Sequence, residues 1–64
     1  MTRELLDAFM RLRVSERTAV LQALDVRIPH HVGETQAEFC KKAVRHICAE
    51  GLVRELETQM LRFQ

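Results

Sequence analysis

Residues 35–60 read TQAEFCKKAVRHICAEGLVRELETQM and spell two helices with the joint between them. Thr35 and Glu38 stand at the spacing of a capping box. In that motif the hydroxyl accepts from the amide three residues on, and the glutamate reaches back to the cap's own amide. Behind the box, Ala37, Cys40, Ala43, Val44, Ile47 and Cys48 fall within one arc of a wheel turning about 100° per residue. Gly51 ends the run, because glycine adopts the left-handed conformation after a helix without a steric penalty. Leu52, Val53, Leu56, Met60 and Phe63 then form a second stripe. A hairpin with two apolar faces needs something to pack on, and those faces either bury only each other within the chain or also serve a partner.

The N-terminal half supplies further apolar faces. Thr2 is placed to cap a first helix, with Glu4 and Asp7 favoured by the positive end of the helix dipole. Leu5, Leu6, Ala8, Phe9 and Leu12 share one side, and Arg3, Asp7 and Arg11 the other. Ser15 is the next predicted N-cap, with Glu16 in the first turn and Val20, Leu21, Ala23 and Leu24 as the apolar side. The segment RIPHHVG, residues 27–33, ends this helix; Ile28 is pushed toward extended geometry by Pro29. It is either a loop or a single helical turn starting at Pro29. No stretch alternates with period two between turn signals, so no strand is predicted. The expectation is one all-α domain over residues 1–64, a compact bundle of four to five amphipathic helices.

The chain has 64 residues, near the lower limit for folding without a metal or disulfides. A composition of 47% hydrophobic and 30% charged residues excludes a disordered tail. Ten basic and nine acidic residues leave a net charge of +1, spread along the chain with no basic arm or acidic tail. Bulk attraction to nucleic acid or anionic lipid is not the design. Cys40 and Cys48 sit eight positions apart on one predicted helix. At a rise of about 1.5 Å per residue their Cα atoms lie about 12 Å apart, too far for a disulfide. A reducing, cytoplasmic setting fits two such free thiols. No apolar run reaches the length of a membrane span, and no signal peptide is evident.

Chemistry-bearing residues are sparse. A cysteine nucleophile needs a histidine within reach, yet His46 shares a helical face with neither Cys40 nor Cys48. The histidines and cysteines fall at neither the C-x-x-C nor the i, i+4 spacing of metal sites. No phosphate loop, paired-carboxylate motif or nucleophile elbow is present. The expectation is a protein without catalytic residues, metal or cofactor. Lys41, Lys42 and Arg45 cluster opposite the apolar arc of the third helix, with Glu38 predicted to pair with Lys42. That face makes a weak nucleic-acid reader and suits an acidic protein patch better. Two residues break the pattern: Arg17 lies inside the apolar arc of the second helix, and Leu61 points away from the stripe of the fourth. Both residue types serve as contacts at protein interfaces.

The opening ELLDAFMRL, the second helix ERTAVLQALDV and the closing QAEFCKKAVRHICAEGLVRELETQML resemble the bacterial effector-associated, death-like adaptor domains. The matching positions are Leu6, Ala8 and Phe9; Leu24, Asp25 and Val26; and Ala43, Val44, Ala49, Glu50, Gly51, Leu52, Glu55 and Leu56. The chain departs from that pattern in lacking tryptophan, in placing Leu52 directly after Gly51, and in being short for a six-helix death fold. The resemblance implies a non-enzymatic adaptor that pairs with like domains and recruits an effector protein. The residues expected to bind the partner are Arg11, Arg13, Arg17, Lys41, Lys42, Arg45, Glu55, Glu57 and Leu61. Two alternatives remain at this point. One is a nucleic-acid-binding regulator using the third helix, and the other is an obligate homodimer built on the hairpin 35–63.

Overall fold

The computed structural model describes residues 2–64, the side chain of Thr2 excepted, so the capping expected of Thr2 lies outside the described residues. Four helices follow one another: α1 (Thr2–Arg11), α2 (Val14–Ala23), α3 (Gln36–Ala49) and α4 (Val53–Leu61). No strand occurs among the described residues. Helices of 9 to 14 residues are too short to hold in water by themselves. They persist because each buries an apolar stripe. α1 packs on α3, and α4 packs on both α2 and α3. The radius of gyration is 10.7 Å, which matches the value of roughly 10.7 Å expected of a compact 64-residue chain. Among the described residues, no helix is long and apolar enough to cross a membrane.

The core joins Phe9 of α1, Val20 and Leu21 of α2, Cys40, Ala43, Val44 and Ile47 of α3, and Leu56 and Met60 of α4. Phe9, Ile47 and Leu56 have no exposed surface, and full burial of such side chains contributes about 1.5–3 kcal/mol each. The predicted stripe of α3 is the buried one. On α2 the stripe is narrower than predicted, since Ala23 is exposed; on α4 Val53 is exposed as well.

The capping box forms as predicted: the Glu38 amide donates to Thr35 Oγ1 at 3.1 Å and the Thr35 amide to Glu38 Oε1 at 3.0 Å. The start of α2 differs. Arg13, not Ser15, occupies the N-cap position, and its amide donates to the Glu16 carboxylate at 2.8 Å. This is half of a capping box, because a guanidinium has no acceptor to return. Residues 27–33 contain no helical turn at Pro29; the chain is irregular there and then turns at Val32 and Gly33, with the Glu34 amide donating to the His31 carbonyl at 3.1 Å. Gly33 sits in that turn at φ 83°, a conformation glycine supplies without steric cost.

Two helices end by the same device. After α3, Gly51 has φ 72°; its amide donates to the Cys48 carbonyl at 3.2 Å, and that of Leu52 to the Ile47 carbonyl at 2.9 Å. After α2, Asp25 has φ 55°, with its amide donating to the Gln22 carbonyl at 3.1 Å and that of Val26 to the Leu21 carbonyl at 2.9 Å. Both are Schellman motifs, closed by an apolar pair across the turn. Asp25 therefore fills a site glycine fills more cheaply, and its ion pair with Arg27 at 3.4 Å lies in open solvent, where such pairs contribute little. Asp25→Gly is expected to stabilise the chain by about 0.5–1 kcal/mol, and Gly51→Ala to destabilise it by about 1 kcal/mol. Thermal denaturation of both variants checks the pair; a fall in Tm for Asp25→Gly would contradict the strain at that position.

Candidate functional site

Arg17 is the side chain whose placement departs most from expectation. It is 9% exposed. Its guanidinium donates to the Met10 carbonyl at 3.1 Å, the Leu12 carbonyl at 2.9 Å and Gln36 Oε1 at 3.4 Å. The first two are carbonyls at the C-terminal end of α1, which have no partner within their own helix. Arg17 thus closes α1 from inside the chain, with its guanidinium engaged by these three acceptors. Beside it, burial pushes the Cys40 thiol up, with the Arg17 charge opposing.

The basic face of α3 is divided. Lys42 turns to the loop before α3: Nζ lies 2.9 Å from Glu34 Oε2, donates to the Pro29 carbonyl at 2.8 Å and sits 5.8 Å from the Phe39 ring centroid. The predicted pairing of Lys42 with Glu38 does not form, because the Glu38 carboxylate is already held by Thr35. His30 lies against the other side of this cluster, its ring 5.1 Å from that of Phe39. Lys41 and Arg45 are exposed, and neither has an ion-pair partner among the described residues.

The remaining expected contact residues are exposed on two separate elements. Arg11 and Arg13 stand at the α1–α2 corner beside the exposed Met10 and Val14. Glu55, Glu57 and Leu61 are exposed on α4, Leu61 at 63%. Neither set is ion-paired among the described residues. Glu57 and Leu61 also line a groove of about 790 Å³ between α1 and α4. Glu4, Leu5 and Ala8 form its α1 wall, Val53 and Met60 complete the α4 wall with Gln64 beyond its end, and Cys48 of α3 lies among them. Glu4, Cys48 and Val53 were absent from the expected contact set. Their sequence signal points the other way, since Cys48 and Val53 fall on stripes predicted to be buried. No group of three or more metal-ligating side chains occurs among the described residues.

No protein-family model, curated protein or solved structure matches the chain.

Two measurements check this arrangement. Arg17→Met removes the donors and leaves the part-buried Met10 and Leu12 carbonyls without that partner, so a loss of about 1–3 kcal/mol is expected. Arg13→Met, at an exposed position, should move stability by less than about 0.5 kcal/mol. Equal Tm values for the two variants would refute the internal role of Arg17. The second measurement concerns acid. The hydrogen bond from Lys42 holds the Glu34 carboxyl below its usual value of 4.5, and the Thr35 amide and hydroxyl do the same for Glu38. A carboxyl with a lowered folded pKa adds stability that is complete above its unfolded pKa and is lost as pH falls through the folded value. Stability should therefore be level above about pH 4.5 and decline below it. Glu34→Gln and Glu38→Gln should each flatten that decline when Tm is followed against pH.

Proposed function

We propose that this chain is a small non-enzymatic interaction module that pairs with like domains of effector proteins, in the manner its resemblance to the death-like adaptors implies. One observation carries the reading. The fold leaves a large apolar groove open beside exposed Leu61 and Val53, although no buried side-chain polar atom lacks a hydrogen-bond partner among the described residues. Charged patches of opposite sign are also exposed on the chain: Arg11 and Arg13 at the α1–α2 corner, Glu55 and Glu57 on α4. On one chain these suit pairing of a basic patch with a neighbour's acidic one, which steers encounter and fixes register. The free thiols of Cys40 and Cys48 fit a reducing, cytoplasmic setting.

The alternatives draw less support. With Lys42 engaged, a nucleic-acid reader would rest on Lys41 and Arg45. Two phosphate contacts give a salt slope of only about −1.8, too shallow for useful affinity. A homodimer built on the hairpin 35–63 would need a stripe whose main members, Cys40, Ala43, Val44, Ile47, Leu56 and Met60, are buried in the chain's own core.

Sedimentation equilibrium over a concentration series tests the pairing. The chain is expected to self-associate. Arg11→Glu/Arg13→Glu and Glu55→Lys/Glu57→Lys should each weaken association by about tenfold, or ~1.4 kcal/mol, without lowering Tm, and a mixture of the two variants should recover it. A chain that remains monomeric throughout, or variants that associate like the parent, would sink like-domain pairing.

A further inference from the structure

The groove between α1 and α4 has a shape and a charge that describe its occupant. The main packing of the fold joins α1 to α3, and α4 to α2 and α3. The two helices that wall the groove are thus each anchored from behind. The lining is mainly aliphatic: Leu5 and Ala8 on one wall, Val53, Met60 and Leu61 on the other. Each wall carries one carboxylate, Glu4 on α1 and Glu57 on α4, and among the described residues none that lines the groove is basic. Arg3 and Arg54 belong to the same helices but lie outside the lining. Its volume of about 790 Å³ is in the range of roughly 300–1,000 Å³ typical of binding clefts.

We infer that the α1/α4 groove seats one amphipathic helix of a partner protein, apolar along its inner face and carrying lysine or arginine along both edges. A helix laid between two others continues the packing of the bundle at the usual interhelical spacing of roughly 8–10 Å. Its apolar residues at i, i+3 or i+4, and i+7 would cover Leu61 and Val53, in the helix-in-groove mode of recognition. Basic residues on its two edges would meet Glu4 on one side and Glu57 on the other. Acidic edges would instead set like charges against both carboxylates. The inference rests on the reading of this chain as an interaction module and names what that module would hold.

Cys48 makes it measurable. The thiol lines the groove and is half-buried, whereas Cys40 is fully buried in the core. The experiment is maleimide labelling of the full native chain, with the modified cysteine assigned by mass spectrometry of the digest. Labelling of Cys40 reports any unfolding. The probes are two synthetic peptides of about 15 residues, long enough to hold a helix. They share one leucine stripe and differ in having lysines or glutamates along its edges. The lysine peptide, at about ten times its Kd, should slow labelling of Cys48 by roughly tenfold, and the glutamate peptide should not. The double variant Glu4→Lys/Glu57→Lys should exchange those preferences. Protection by neither peptide, or equal protection by both, overturns the inference. So does labelling that slows as the chain's own concentration rises without peptide, which would make the occupant a second copy. A chain that stays monomeric in sedimentation while the lysine peptide protects Cys48 loses like-domain pairing but keeps the groove. Self-association through the charged patches without peptide protection does the reverse.

Discussion

The guanidinium of Arg17 reaches three helices. It belongs to the first turns of α2, bonds two carbonyls at the end of α1, and touches the first residue of α3 through Gln36. A chain of 64 residues with no disulfide between its cysteines has few ways to fix how its helices meet. Apolar packing brings them together but is not directional. Hydrogen bonds from a planar group with five donors are directional. Arg17 therefore sets the angle of the α1–α2 corner, where the connection is only two residues long and contains no glycine. The core lies beside that corner: Phe9, fully buried on α1, belongs to the cluster that α3 and α4 complete.

The other connections are fixed by different means. The α3–α4 turn is closed by its own backbone, through Gly51 and the Leu52 amide. The longer α2–α3 passage cannot be closed locally. Lys42 does so from the body of α3, holding Glu34 on one side and the Pro29 carbonyl on the other while its stem crosses Phe39. The Lys42 side chain is partly shielded by these contacts and gives the loop an ion pair and a hydrogen bond that the backbone there does not supply. The consequence reaches function, because the charge most central to the basic face of α3 is consumed in holding the loop.

What the sequence discloses depends on how far apart the interacting groups lie. The capping box of Thr35 and Glu38, the stripe from Cys40 to Ile47 and the stop at Gly51 are all legible, since each is complete within a few residues. Arg13 as N-cap is not, because Ser15 carries the better intrinsic signal and loses only once Glu16 folds back to the Arg13 amide. Arg17 and Lys42 are misread for one shared reason. Their partners include backbone carbonyls of other segments, and a carbonyl has no identity in the sequence. A long basic side chain then looks free when it is committed. Cys48 and Val53 fail in the opposite sense: the periodicity that places them on an apolar stripe holds, but the neighbour that would cover them is missing.

That missing neighbour separates structure from function in this fold. α3 is covered by α1 on one flank and by α4 on another, so its stripe is spent. α4 has two partners, α2 and α3, yet an outer edge of Val53, Glu57 and Leu61 remains in contact with solvent. Scattered exposed aliphatics need no explanation, but these adjoin a groove walled by a second helix and framed by carboxylates. An uncovered seam between two anchored helices retains the driving force that covered the others, so a partner can add to the bundle without dismantling it. Binding there would extend the core, whereas binding at the hairpin stripe would have to open it.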